Sequence, residues 1–368
     1  MTGAGLRAAG SADTVTVTIA VLTFRRAAEL AACLAEVAAH ATAARVSRQG
    51  TVLAPTILVV DNDPTGSAGV VVERVRAMSP VEIRYVVEPT PGIAAARARA
   101  VVESATSDVL VFIDDDERPT ESWLLPLVDT WQQTGAAAVM GRVLSVFDSP
   151  LSPWVAAGEF FRRRRMATGT RISVGAAGNL LLDISQVRRL GVAFDARLGL
   201  GAGEDSLFTM QLVLAGGLLV WCDESVATDH VPSNRMTRRW VLDRARSHGN
   251  TETVVELMLA ERHHSVLRLR AAARGGVRIA GGLARFGLGL AIRSLRHQAR
   301  GLRTAYRGLG IASGAVGVVV LEYSRPEGVG AVQLAAAGAR VPARAAASAT
   351  AGASASASAP ERVSHGRV

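Results

Sequence analysis

Between residues 14 and 113 short β-branched apolar runs alternate with alanine- and leucine-rich stretches, and this alternation restricts the fold more than any other feature. Residues 14–22 (TVTVTIAVL), 56–60 (TILVV), 81–87 and 108–113 (DVLVFI) have the continuous apolar character of strands buried on both faces. Residues 25–40, 67–78 and 93–104 lie between them and read as helices. Such a pattern builds an α/β domain around a mostly parallel sheet. Pro55 punctuates the chain before the second strand, and Thr90-Pro91-Gly92 turns it into the third helix. Further on, residues 136–146 and 218–222 read as strands and 204–215 as a helix after a glycine-rich turn.

Hydrophobic residues make up 49% of the 368, and charged residues 20%, so a large core is available and wholesale disorder is excluded. All 41 basic residues are arginine, and they are unevenly placed. Residues 1–230 carry 20 arginines against 25 acids, whereas residues 231–368 carry 21 against 7. That asymmetry suggests a catalytic body followed by a basic appendage for an anionic surface. The organisation expected is a flexible leader (1–13), a catalytic domain (14–260), a basic amphipathic helical region (261–325) and a disordered alanine- and serine-rich tail (326–368). Arg296, Arg300, Arg303 and Arg307 share one face of a helix, which suits an anionic membrane surface. A solvated basic face of ordinary helices is the plain alternative. Only Phe286 and Tyr306 are aromatic between 262 and 307, so nucleic acid is not the expected partner. Two cysteines, Cys33 and Cys222, suit a reduced cytoplasmic compartment. The N-terminus has no secretory pattern, and no segment has the roughly 18 to 20 apolar residues that cross a bilayer. Peripheral attachment to the inner face of the plasma membrane is the corresponding expectation.

The sharpest chemical feature is the triplet Asp114-Asp115-Asp116 at the end of the fourth strand. Ligands of open α/β sheets bind beyond the carboxyl ends of the strands. In an extended stretch Asp114 and Asp116 point to one side, where their repulsion invites Mg²⁺ or Mn²⁺ with substrate phosphates. A solvated acidic turn capping the next helix is the bland alternative. Glu204-Asp205 follow the run GLGAG at 199–203, so they are either a helix cap or a general base on a glycine turn. His230, in the sequence ATDHVP, becomes a ligand only if the chain folds back over the triplet. No Gly-x-Ser-x-Gly elbow, Walker A loop or His-Glu-x-x-His occurs. The first strand leads into Thr23-Phe24-Arg25-Arg26 rather than a glycine-rich phosphate loop, which disfavours a dinucleotide-binding dehydrogenase and a sugar-phosphate nucleotidyltransferase.

In order, the chain carries TFRR (23–26), VVDND (59–63), PGIAAARAR (91–99), FIDDDE (112–117), the glycine turn before Glu204-Asp205, and His230. Together these resemble glycosyltransferase family 2, enzymes of the GT-A fold, over roughly residues 15–250. The resemblance implies an inverting, metal-dependent transfer of a sugar from a nucleotide-diphosphate donor to a hydroxyl of a glycan or lipid-linked acceptor. It places Thr23, Arg25, Asp61, Asp63, Arg97, Asp114 and Asp115 at the nucleotide, with Asp61 accepting from the base. Asp114 and Asp116 become the Asp-x-Asp motif, Asp116 the direct metal ligand and His230 a late residue completing the metal or diphosphate site. Asp205 matches the catalytic base with Glu204 beside it, and Gly178, Asn179 and Glu204 fall near the acceptor. The cofactor implied is a divalent cation, Mg²⁺ or Mn²⁺.

Two departures qualify the resemblance. Ala98 stands where the family often has Asn after the Arg, and MTRRW at 236–240 lacks the Gln of the Gln-x-x-Arg-Trp motif of processive synthases. One sugar added per encounter is therefore expected, in the branch that builds bacterial exopolysaccharide or cell-envelope glycans. The competing reading from a different class is a non-enzymatic basic protein that binds membranes or nucleic acid.

Overall fold

The structure is a computed structural model that describes residues 14–44, 51–121, 123–198 and 201–320. The expected leader (1–13), residues 321–325 and the expected tail (326–368) lie outside the described residues. Four strands form the parallel half of the sheet: β1 (Thr14–Thr23), β2 (Val52–Asp61), β3 (Ile83–Val87) and β4 (Val109–Asp114). Helices α1 (Ala27–Ala43), α2 (Gly69–Arg76) and α3 (Ile93–Glu103) connect them. The remaining strands are β5 (Glu117–Pro119), β6 (Ala138–Phe147), β7 (Asn179–Asp183) and β8 (Leu219–Val231). Among the described residues they make one eight-stranded sheet in the order β3-β2-β1-β4-β7-β6-β8-β5. Four of the seven pairings are parallel; β7 runs antiparallel to β4 and β6, and β5 antiparallel to β8.

Period-two alternation sends Ile19 and Val21 to one core, with Leu30, Leu34 and Leu127, and Ala20 and Leu22 to the other, with Phe112 and Phe208. Both faces of β1 are thus dry, which explains its unbroken apolar run. Pro55 does not delay β2, which begins at Val52. Pairing with β3 starts only at Ile57, so at Pro55 the strand has a neighbour on one side and a missing N–H is tolerated. Residues 114–116 are not extended throughout: the chain turns at Asp115 and Asp116 and leaves along β5. Strand β8 continues nine residues past the expected end at Cys222, because Asp223, Glu224 and Ser225 form a bulge rather than a turn.

Further helices are α4 (Leu124–Thr134), α5 (Pro153–Gly158), α6 (Ile184–Leu190) and α7 (Glu204–Leu214). The basic region folds as α9 (His264–Ala291) and α10 (Leu295–Ala315), which pack with α8 (Arg238–Leu259). Their backbones approach so closely that a Cβ on Gly310 would lie 1.9 Å from the Arg246 carbonyl, and one on Gly282 2.5 Å from the Ala305 nitrogen. The arginine face expected to meet a membrane is turned inward in part. Arg300 pairs with Glu159 at 2.5 Å, Arg303 donates to the Glu159 carbonyl, and Arg307 pairs with Glu252 at 2.8 Å. Among the described residues no helix is long and apolar enough to cross a membrane.

Candidate active site

The parallel register sets Thr23 opposite Asp61 and Leu22 opposite Asp114, so three polar residues end adjacent strands at one edge of the sheet. Thr23 is buried and donates through Oγ1 to Asp115 Oδ2 at 2.8 Å. Arg26, at the start of α1, reaches both Asp115 (2.9 Å) and Asp116 (3.1 Å), and Arg235 reaches Asp116 at 3.3 Å. Burial pushes the Asp115 carboxyl up, while Arg26 and the Thr23 hydroxyl pull it down. Thr23 and Asp115 thus brace the turn from inside, and Asp114 and Asp116 remain as the members that meet the cleft.

Helix α3 brings Arg97 over the end of β4. Its buried alanines (Ala94, Ala96 and Ala100) let the backbone lie close to the sheet. The Arg97 guanidinium is buried, forms an ion pair with Glu204 and lies 3.7 Å from Asp114. Burial pushes Glu204 up and Arg97 opposes it. Asp114 keeps 41% of its side-chain surface open to water, yet the protein packed around it removes much of its hydration. That burial pushes it up to about 6; Arg97 opposes the shift, and Asp116, Asp115 and Asp205 add to it.

Glu204 and Asp205 open α7 directly after Gly203, whose φ of +104° and close approach to Thr251 on α8 (2.3 Å from an added Cβ) require glycine. Asp205 Oδ1 accepts from the Ser206 backbone N–H at 2.6 Å. Among the described residues its Oδ2 has no hydrogen-bond partner. One oxygen is therefore fixed and the other open. Gly178 lies against the same cluster: an added Cβ would stand 2.5 Å from Glu117 Oε1 and 3.2 Å from Asp114 Oδ2.

Several expected residues have other work. Asp61 is fully buried, and its oxygens accept from the Asp63 N–H (2.9 Å), the Ala68 N–H (2.8 Å) and the Tyr85 hydroxyl (2.8 Å). It holds a loop, with one donor on Oδ1 and two on Oδ2. Asp63, also buried, pairs with Arg25 at 2.9 Å and is held well below the usual carboxylate range by it. Asn179 is buried with its amide donating to the Arg142 carbonyl and Ser225 while its oxygen accepts from Trp123 Nε1, so it braces β7 rather than facing an acceptor. His230 is exposed and its backbone N–H donates to the Asp116 carbonyl; among the described residues its ring is not part of a group of three metal-ligating side chains. Arg26, Arg235 and Glu117 were not anticipated as site residues. Arg26 stood in the TFRR segment, but nothing local marks Arg235, which acts 119 residues away from Asp116.

Among the described residues no three His, Cys, Asp or Glu side chains converge to hold a metal ion unaided. The donor set nonetheless fits a hard cation that shares its shell with phosphates, because Asp114, short of hydration and pressed by like charges, stands beside Asp116, of which only Oδ2 is held by arginines.

The family model for glycosyl transferase family 2 matches residues 18–186. The succinoglycan biosynthesis protein ExoM of Rhizobium meliloti (strain 1021) is 33% identical over 254 residues, covering 69% of this chain and 78% of its own. A mannosyltransferase from Pyrobaculum calidifontis, solved with GDP-Man and Mn²⁺, aligns over 80% of this chain and 86% of its own at 18% identity and a TM-score of 0.50. The chain also aligns with 52% of the length of a GalNAc-T7 structure solved with UDP, GalNAc and Mn²⁺, at 13% identity over 67% of this chain and a TM-score of 0.45.

Proposed function

This chain belongs to glycosyltransferase family 2, and from that premise we propose that it adds one sugar per encounter, with inversion, to a hydroxyl of a lipid-linked glycan in exopolysaccharide or cell-envelope assembly. Its architecture is the GT-A fold and its activity that of a nucleotide-sugar-dependent glycosyltransferase. The observation that carries the proposal is Asp205, fixed by one oxygen and open at the other, beside a cleft-facing pair of carboxylates. Asp205 takes the proton from the acceptor hydroxyl as that oxygen attacks the anomeric carbon from the face opposite the leaving group. Arg97 and Gly203 hold Glu204 and the start of α7 in place, so the base is positioned before substrate arrives. Asp114 and Asp116 would hold a divalent cation, which neutralises charge growing on the departing diphosphate. Arg26 and Arg235 flank Asp116 and can turn their charge toward the same oxygens.

The exposed face of α9 supports attachment to an anionic membrane. Val266, Leu269, Val277 and Leu288 lie on one side of the helix, opposite the buried Gly275, Gly282 and Gly289. Leu269 and Val277 are 72% and 73% exposed and Arg270 is exposed beside them, whereas Arg274 turns to Glu256 on α8. An exposed apolar stripe with an arginine beside it is what an interfacial helix presents to lipid.

The test pairs two variants. Asp205→Asn should bind UDP or GDP with Mn²⁺ as the parent does, while turnover with an acceptor extract falls about 10² to 10⁴-fold. Near-parental turnover would reduce Asp205 to a helix-end residue. Asp116→Asn should weaken the same Mn²⁺-dependent affinity, and an unchanged calorimetric titration would remove Asp116 from the metal site.

A further inference from the structure

Away from the carboxylate cleft, α5, α9 and α10 enclose a second recess of about 590 Å³, the size of an ordinary small-molecule site. Seven arginines and a single carboxylate, Glu159, line it. Glu159 is already engaged by Arg300, and Arg307 is drawn toward Glu252. Among the described residues Arg278, Arg285 and Arg296 form no direct ion pair. Like charges gathered in one recess repel unless an anion joins them, and a guanidinium fork matches phosphate oxygens two at a time.

The recess shares a lining residue with a neighbouring cleft. Arg162 lines it and also lines an adjoining cleft of about 820 Å³ between β6, β8 and the segment 161–165. There Arg163 pairs with Asp229, whose carboxyl feels both Asp116 and Arg235. On its other side the recess is bounded by α9, whose flank carries Arg278 and Arg285 and whose outer face carries the exposed apolar stripe. An anion held here thus lies between the helix that carries the apolar stripe and the cleft beside Arg163 and Asp229.

We propose that the recess between α5, α9 and α10 binds the diphosphate of a lipid-linked acceptor, its lipid lying along α9 and its glycan directed through the adjoining cleft toward Asp205. This rests on the glycosyl-transfer reading above, which supplies the need for an acceptor, while the site itself stands on its own residues. The surrounding protein opposes the charge on Arg303, and Arg307 and Arg300 add to that opposition. His248, on α8, reports the same field. Although part of its ring reaches solvent, enclosure and the charges of Arg244, Arg307, Arg303 and Arg163 push it down to about 4.

The experiment titrates the full chain, in EDTA, with geranyl diphosphate and with inorganic pyrophosphate, by calorimetry and by the His248 ring resonance. The partner variant replaces three half-buried or exposed arginines together: Arg278→Gln, Arg285→Gln and Arg296→Gln. The parent should bind geranyl diphosphate roughly tenfold or more tighter than pyrophosphate, since each buried methylene adds affinity. The His248 titration should move upward when either anion binds. The triple variant should lose about a hundredfold or more for both probes, and keep Mn²⁺-dependent nucleoside diphosphate binding unchanged. Equal affinity of parent and triple variant for geranyl diphosphate overturns the site. Equal affinity of the parent for the two probes overturns the lipid source and assigns the recess to a soluble anion. Absence of nucleoside diphosphate binding in every protein would instead overturn the donor reading, and the EDTA titrations would still decide the recess.

Discussion

Replacing Arg97 by Met should destabilise the protein in a pH-dependent way. Its guanidinium is buried, forms the ion pair with Glu204 and lies 3.7 Å from Asp114, so Met fills the space and removes the compensating charge from two enclosed carboxyls. Breaking a buried pair by removing one partner costs about 3–5 kcal/mol, a large part of the roughly 5–15 kcal/mol that keeps such a domain folded. The melting temperature should fall by on the order of 10 °C. Glu204 and Asp114 are already above their ordinary values of 4.5 and 3.8, and without Arg97 they rise further. The folded state then binds more protons than the unfolded chain. Stability therefore falls as pH rises through the raised values, and the gap between parent and variant should widen from about pH 5 to pH 8. Urea unfolding at both ends of that range measures it, with Arg97→Met/Glu204→Gln as the companion. The double variant should recover most of the loss, because it buries an amide in place of an unpaired charge. A loss under about 1 kcal/mol at pH 8, or a double variant no better than the single, would refute the reasoning.

Two further outcomes follow from the same geometry. Asp114 is pushed up to about 6, so loading Mn²⁺ with a nucleoside diphosphate should release more proton at pH 5.5 from the parent than from Asp114→Asn, with the difference gone at pH 8. Calorimetry in buffers of different ionisation enthalpy reads this directly, and equal release per bound nucleotide from the two proteins would take Asp114 out of the metal shell. Leu269→Glu with Val277→Glu should abolish co-sedimentation with vesicles rich in anionic lipid while leaving nucleotide binding intact. Undiminished sedimentation would show that α9 is not the contact.

The half of the fold built from β1 to β4 was legible because parallel strands buried on both faces have no polar positions to confuse the pattern. Their carboxyl ends placed the acidic triplet and Thr23 correctly at one edge. Orientation was not legible. Asp61 reads from sequence like any strand-end carboxylate, yet its three donors come from two, seven and twenty-four residues away and fold it inward. Asn179 is spent on Trp123 and Ser225 in the same way. β7 escaped because five residues around three leucines cannot be told from a turn of helix by periodicity. On α10 the spacing of Arg296, Arg300, Arg303 and Arg307 gave a face but not its partner, since Glu159 and Glu252 are distant in sequence. The glycines of α9 and α10, which weaken an isolated helix, serve here to let backbones touch.

The two recesses solve one electrostatic problem in opposite ways. Around the triplet, Asp114, Asp115, Asp116, Glu117, Glu204, Asp205 and Asp229 outnumber Arg26, Arg97, Arg163 and Arg235. Burial drives Glu117 well up, and Asp114 and Asp116 add to that shift. A diphosphate cannot enter such a field alone, because its charge repeats that of the walls. A divalent cation shared by both sides would relieve that repulsion. Between α5, α9 and α10 the walls are arginine, and an anion needs no such mediator. On the proposals above, one chain would hold two diphosphates without confusing them, the donor's through a metal and the acceptor's through guanidinium. Chelation should release the first and leave the second bound.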